Sequence, residues 1–251
     1  MLVDTHCHLD QFPEPAATLA EAERAGVTRV VAVSEDPASI AAVVRLGERL
    51  GPQVLAGVGL HPCWVVRCTP EELERGLQQV AAGLPGASVL GEVGLDHQWA
   101  QTAAEQALQE RVLERQFELA ARCGKPANLH SRRCLRQTME RAIAFHRDTG
   151  LNAQLHWFTH SRKLVAECNR AGIYVSVGPT VLEHGPTQEV ALAIDDELLL
   201  LETDAPVPIR GQPGHPARAR AVAETLAALK GVALEELAAR TSANFARFLG
   251  E

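Results

Sequence analysis

Ala25-Gly26-Val27-Thr28-Arg29-Val30-Val31-Ala32-Val33 carries the pattern on which the fold turns. A glycine suited to end a helix leads straight into a run of β-branched residues with little polar alternation. Such a run suits a strand of a parallel sheet, buried on both faces. The same grammar recurs along the chain. Strands are expected at residues 2–6, 27–33, 54–60, 88–93, 126–130, 152–156, 172–177 and 198–203. Segments of helical period separate them, among them 14–25, 37–50, 70–82, 104–123 and 161–170, and residues 216–249 read as two closing helices. Eight strands alternating with helices in about 250 residues is the arithmetic of a (β/α)8 TIM barrel, an α/β fold. A doubly wound open sheet is the alternative. Its nucleotide-binding versions lose support, because no G-x-G-x-x-G follows the first strand and no G-x-x-x-x-G-K-[ST] occurs. With no linker and no low-complexity segment, residues 1–251 are expected to form one domain.

The bulk properties narrow the functional classes. Of 251 residues, 46% are hydrophobic and 22% charged, which excludes general disorder. No apolar run approaches the ~20 residues of a membrane helix, so no membrane partner is expected. Lys and Arg number 24 against 31 Asp and Glu, and 24 − 31 = −7. A chain of that sign does not coat duplex DNA by charge alone, so an anionic substrate needs local positive charge, which a metal supplies. The start, MLVDTHCHLD, has no export pattern, and the six cysteines form no C-x-x-C pair. Reduced thiols in the cytoplasm are the expectation.

Histidines and acids gather at the C-terminal ends of the expected strands, where barrels carry their chemistry. The first strand ends in His6-Cys7-His8, whose spacing points both imidazoles to one side. Glu92 closes the fourth strand, His130 the fifth, His156 the sixth and Asp204 the eighth. Any one of these alone reads as a hydrogen-bonded structural residue. Together they make a dense buried polar cluster, which is badly satisfied without cations. Imidazole plus carboxylate with no thiolate suits Zn, Mn or Mg. Six ligands exceed one four-coordinate ion and suit two divalent ions with Glu92 as the bridge. His6, His8, Glu92 and Asp204 would hold one ion, and Glu92, His130 and His156 the other. Such a pair activates a hydroxide and clamps a phosphoryl displacement. Glu202 points the same way as Asp204 and would orient a ligand or water from behind.

These residues sit in Val3-Asp4-Thr5-His6-Cys7-His8-Leu9-Asp10, Gly59-Leu60-His61-Pro62, Gly91-Glu92-Val93-Gly94-Leu95-Asp96, Asn128-Leu129-His130-Ser131-Arg132, Leu155-His156-Trp157-Phe158 and the stretch 199–206. In that order they resemble the TatD family of metal-dependent deoxyribonucleases, of the amidohydrolase-like, metallo-dependent hydrolase type of TIM barrel. The resemblance runs from the first residues to Pro206, with further similarity at Arg210-Gly211 and near Asn244. It implies two divalent ions and hydrolysis of DNA phosphodiesters, commonly as a 3′→5′ exonuclease. It carries over the same six ligands, and it places Asp96 behind them. Four stretches depart from the family pattern. Arg133 stands where an acid is usual, His97-Gln98-Trp99 where aromatics follow directly, Thr159-His160 where a small pair is common, and Gln212-Pro213-Gly214-His215-Pro216 after Arg210-Gly211. All fall in substrate-facing loops.

His61 at the third strand either caps a turn or donates to a phosphate, and the family motif favours the phosphate. Arg132 and Arg210 offer forks for phosphate oxygens. Arg133 reads equally as phosphate ligand or solvated surface. Trp64, Trp99 and Trp157 all follow strands and could stack on unpaired bases, although Trp157 equally suits the core. Asp204, with Glu92, would act on the attacking water. The expected partner is DNA, single-stranded or at 3′ ends, met by a monomer. Two rivals stand beside this reading. One is a small-molecule amidohydrolase acting on amides or lactones, which commonly bridges its metals with a carbamylated lysine. Here the lysines are Lys125, Lys163 and Lys230, and none lies at the fourth strand's end. The other is a nuclease-like subunit of a larger assembly, against which the complete ligand set argues.

Overall fold

Capped helices decide where each strand begins and where each rim loop ends. The N-cap residues Asp36, Thr69 and Thr102 form reciprocal capping boxes with Ser39, Glu72 and Glu105. At the far end of one helix, Gly172 adopts φ 71° and turns the chain into the next strand. The computed structural model describes residues 1–159 and 161–251. The strands are β1 (Leu2–Cys7), β2 (Val27–Val33), β3 (Val54–Val58), β4 (Val89–Asp96), β5 (Ala127–Arg132), β6 (Ala153–Leu155), β7 (Tyr174–Val177) and β8 (Leu199–Leu201). They form one parallel sheet in sequential order. The helices are α1 (Pro15–Arg24), α2 (Pro37–Leu50), α3 (Pro62–Val65), α4 (Pro70–Gly83), α5 (Ala103–Cys123), α6 (Leu135–Thr149), α7 (Arg162–Ala171), α8 (Gly185–Ala193), α9 (Ala219–Lys230) and α10 (Leu234–Leu249). Among the described residues no helix is long and apolar enough to cross a membrane.

The sheet curls until β8 meets β1. The Thr5 hydroxyl donates to the Leu201 carbonyl at 2.9 Å, the Asp204 amide to the His6 carbonyl at 2.9 Å, and the His8 amide to the Ala205 carbonyl at 2.7 Å. The seam therefore closes at the rim that carries His6, His8 and Asp204. Two apolar layers hold the barrel. The larger lies between strands and helices and includes Val30, Ala32, Leu90, Leu129, Leu155 and Leu199. The smaller joins Val3, Val31, Val89, Tyr174 and Leu200 to Phe245 and Phe248 of α10. Those phenylalanines plug the barrel floor, so the interior is open only at the opposite rim.

Several boundaries differ from the sequence reading, with consequences for the site. β4 runs on to Asp96 because Leu95 and Asp96 pair with Ser131 and Arg132 of β5. Glu92 therefore lies inside β4 rather than at its end, beside a register shift between Leu90 and Val93. β6 and β8 are shorter than expected, and they release His156 and Glu202 from the ladder. Their amides still bond to the Leu129 and Val177 carbonyls. The Gly91–Glu92 and Ala205–Pro206 peptides are cis.

Gly94 shows how tightly β4 and β5 approach. It pairs with His130 at φ 145°, and a Cβ there would collide with the His130 carbonyl. Gly94→Ala is expected to lower unfolding free energy by about 3 kcal/mol or to prevent folding. Gly86→Ala, with no neighbour within 4 Å of its would-be Cβ, should stay within about 1 kcal/mol of the parent. Urea denaturation of both variants checks the contrast.

Candidate metal centre

Five strands deliver six side chains to one point. Glu92 from β4 sits at the centre, 2% exposed. Its two oxygens face different partners. Oε2 lies 3.4 Å from His6 Nε2 and 3.6 Å from His8 Nε2. Oε1 lies 2.9 Å from both His130 Nδ1 and His156 Nε2, and 3.6 Å from His61 Nε2. Asp204 Oδ1 completes the first group at 3.4 Å from His6 Nε2 and 3.2 Å from His8 Nε2. His6 and His156 stack at 3.9 Å between centroids, which brings the two groups side by side.

The spacing His6-Cys7-His8 works as the strand period requires. Both imidazoles reach the site, while Cys7 is buried in the layer beneath the helices. Thr5, however, also faces inward, to Gln154 and the Leu201 carbonyl. Consecutive residues share the interior because β1 shifts register against β2 between Asp4 and Cys7.

Charge in this cluster is far from that of free side chains. Burial opposes charge on His6, but Glu92 and Asp204 outweigh it and lift its pKa well above the usual value. His8 rises to about 8 and His130 to about 9 by the same contest, won by Asp204 and Glu92 for the first and by Asp96 and Glu92 for the second. Burial likewise opposes charge on Glu92, yet its histidine neighbours hold its pKa well below the carboxylate range. Asp204 is lowered too, since His6 and His8 outweigh its burial. His61 goes the other way. Burial takes its pKa down to about 3, and the attraction of Glu92 does not compensate. Its Nδ1 accepts the Cys63 amide at 3.0 Å, so the neutral ring keeps its proton on Nε2, which faces the site.

The donor set fits divalent cations. His6 Nε2, which faces Glu92 and Asp204, is buried and makes no hydrogen bond, and the buried Nδ1 atoms of His8 and His156, also unpaired, turn toward Glu35 and Glu202. Carboxylate and imidazole donors converge with no thiolate among them, a mixture suited to Zn or Mn. Among the described residues, three groups are close enough to hold an ion: His6, His8 and Glu92; His61, Glu92 and His130; and His6, His156 and Glu202.

Behind these residues lies a buried polar net. Asp96 Oδ2 meets His130 Nε2 at 3.2 Å. Glu202, fully buried, accepts the Trp157 amide at 2.5 Å and the Ser176 hydroxyl at 2.7 Å, and lies 3.7 Å from His156 Nδ1. Ser176 escaped the sequence reading, as did Asn128, Asp4 and the part-exposed Glu35 at the edge of the net. Asn128 Oδ1 meets His6 Nδ1 at 3.0 Å while its amide donates to the Thr5 carbonyl. Asp4 accepts the His6 and Thr203 amides and the Thr203 hydroxyl. Burial pushes its pKa to about 7 despite the Thr203 bond. Glu35, after β2, accepts from Gln11 at 2.7 Å and stands 3.9 Å from His8 Nδ1, and its carbonyl accepts the His61 amide. Asn128 could have been found from strand parity, since it shares a face with His130. Glu35 was not set apart in the sequence, because it lies beyond β2 between Ser34, which bonds Gly59, and Asp36, which caps α2.

The mouth opens into a cavity of about 800 Å³ that His130, His156, Asp204, Arg132 and Trp157 line. Trp157 also borders a second cavity of about 520 Å³, with Arg210. There Arg210 bonds to Glu183 at 2.7 Å, and both side chains are exposed. Trp99 is 43% exposed and carries the Arg67 guanidinium 3.8 Å above its ring. Trp64 packs on the core instead. His215 pairs with Glu21 and packs on Phe12, and it lines neither cavity. His160 lies outside the described residues. Among the described residues, the non-glycine positions with positive φ are Arg133, Trp157, Ser161, Asp204 and Arg210. All lie in loops after β5, β6 and β8, each at a cost of roughly 1 kcal/mol or more.

Comparison with known proteins agrees with this geometry. Residues 3–250 match the family model described as TatD related DNase. The chain is 31% identical to human deoxyribonuclease TATDN3 over 97% of its length and 92% of that protein's. It is 33% identical to the uncharacterized metal-dependent hydrolase YcfH of Escherichia coli K12, over 98% of this chain and 94% of the relative. The crystal structure of the TatD homologue YjjV from E. coli K12 superposes with a TM-score of 0.87 at 29% identity. It covers 100% of this chain and 98% of that one.

Removing the prop behind His6 should loosen the centre without unfolding it. Asn128→Ala is expected to weaken Zn or Mn binding about 10–100-fold. Calorimetric titration of the chelator-stripped protein reads that change directly.

Proposed function

This chain belongs to the family of TatD-related DNases, and we propose that it is a metal-dependent deoxyribonuclease acting on single-stranded DNA ends, as a 3′→5′ exonuclease. The single observation that carries the reading is the division of Glu92, with one oxygen toward His6 and His8 and the other toward His130 and His156. We assign His6, His8, Glu92 and Asp204 to one divalent ion, and Glu92, His130 and His156 to a second. Bound there, divalent cations supply Lewis acidity to water and to the phosphoryl group.

The chain's own groups do the rest. His61, neutral and with its proton on Nε2, donates to a non-bridging phosphoryl oxygen as charge grows there. Asp204 orients the attacking water through the oxygen turned away from His6 and His8 and takes its proton. Arg132 stands at the cavity without a carboxylate partner among the described residues and grips the scissile phosphate. Trp157 presents its ring between the two cavities, where a terminal base can stack. Its backbone is pinned by Glu202. Arg210 reaches the strand from the second cavity by exchanging Glu183 for phosphate, since an exposed ion pair contributes only about 0–1 kcal/mol. Negative net charge is then no obstacle, because attraction is confined to the mouth. All the assigned ligands come from one chain, so a monomer suffices. The six cysteines are unpaired, which suits a reducing cytoplasm.

Assay of 3′- and 5′-labelled single-stranded oligonucleotides tests the reading, with Zn, Mn or Mg and with chelator. Stepwise release of nucleotides from the 3′ end is expected, abolished by chelator. Amide and lactone substrates run beside it should not turn over. Glu92→Gln and Asp204→Asn should each lower kcat by at least ~100-fold with far-ultraviolet circular dichroism unchanged. Full activity in metal-loaded Asp204→Asn would remove its assigned role.

A further inference from the structure

Arg132 ends β5 on the same face as His130, so strand alternation alone brings it to the cavity. In a continued strand the next residue would point to the opposite face, but the strand ends before Arg133. Arg133 takes φ 61°, left-handed and unfavourable for a side chain with a Cβ, and lines the same cavity as Arg132. The turn that produces this is built rather than loose. The Cys134 thiol donates toward both the Leu95 and Arg132 carbonyls at 3.2 Å, and the His97 amide donates to the Arg132 carbonyl at 2.9 Å. Cys134 itself is buried and begins α6. Two adjacent, exposed arginines thus border one mouth on a turn whose backbone is pinned. Neither has a carboxylate partner among the described residues, whereas Arg136, the third arginine there, lies 3.5 Å from Glu167 and 3.9 Å from Glu140. Asp204 is the lone acid on that cavity wall, and the metal centre engages it.

We infer that Arg133 is a specificity-determining residue that binds the phosphate next along the chain from the one being cleaved. Two like charges side by side repel unless anions bridge them, and consecutive backbone phosphates supply two anions at a regular spacing. Arg132 takes the scissile phosphate and Arg133 its neighbour, with the intervening nucleoside in the 800 Å³ cavity beside Trp157. The substrate class narrows accordingly. The enzyme recognises an oligonucleotide strand by two successive charges, rather than any lone phosphodiester.

The inference rests on the nuclease reading above, and one experiment separates their failures. Five single-stranded hexathymidylates are made, each with a neutral methylphosphonate at one of the five linkages. Each is compared with the unmodified hexamer for wild type and for Arg133→Asn, asparagine being tolerant of a left-handed backbone. For wild type, neutralising the linkage beside the cut should lower kcat/KM about 10-fold, the scale of one charge-assisted hydrogen bond. For Arg133→Asn the same neutralisation should cost less than about 2-fold. Equal penalties in both proteins, or none in wild type, overturn the assignment of Arg133. Failure of metal-loaded wild type to cut the unmodified hexamer overturns the nuclease reading itself.

Discussion

A carboxylate buried among imidazoles is stable only if its charge is met from every side, and Glu92 sets that demand for the whole rim. Its two oxygens draw His6 and His8 one way, and His130, His156 and His61 the other. Those residues come from strands far apart in the chain. Only a closed barrel, with β8 bonded back to β1, brings them around one carboxylate. The cost of desolvating so many polar groups is of order several kcal/mol each when unpaired. Protonated histidines offset it in the metal-free protein, as their raised pKa values show, and cations would do so more completely.

The apparatus behind the cluster explains why these groups point where they do. Asp4 ties the end of β1 to Thr203, one residue before Asp204. Asn128 orders His6 from β5. Gln154 bridges the Thr5 and Ser176 hydroxyls, and Ser176 passes the chain of hydrogen bonds to Glu202, which holds the Trp157 amide. The paired groups lock one another's rotamers, while the buried Gln154 Oε1 has no hydrogen-bond partner among the described residues. The floor is sealed by Phe245 and Phe248, so water and substrate meet the cluster only at the mouth.

The rim is not uniform. Glu35 and His61, after β2 and β3, contact the cluster directly through short loops. The loops after β5, β6 and β8 instead carry all the described non-glycine positions with positive φ. They aim Arg133, Trp157, Asp204 and Arg210 at two adjoining cavities. One side of the mouth thus supports the candidate metal centre and the other borders the cavities that lead to it. Cation charge follows the same division, with Arg132 and Arg133 at the cavity and without a carboxylate partner among the described residues, while Arg136 beside them pairs with Glu167.

The eight-strand rhythm, the helix caps and the strand-end histidines were legible in the chain, because buried parallel strands and capped helices leave local patterns. His6 with His8 was readable from a period of two. Glu92, His130, His156 and Asp204 at expected strand ends completed the ligand list, and the resemblance to a family carried over the same six. What local pattern could not supply was anything set by register or by contact across the barrel. β4 extends past Glu92 because β5 offers partners to Leu95 and Asp96. Glu35 joins His8 because β1 and β2 are neighbours. Arg133 borders the cavity because β5 ends before it, in a turn whose backbone is pinned. The amino-acid sequence by itself determined the elements and the chemical identity of the site, since hydrophobic periodicity and residue type are local properties. Tertiary structure alone decided which oxygen faces which imidazole and which arginine lacks a partner, since both depend on distances between strands that only closure of the barrel fixes.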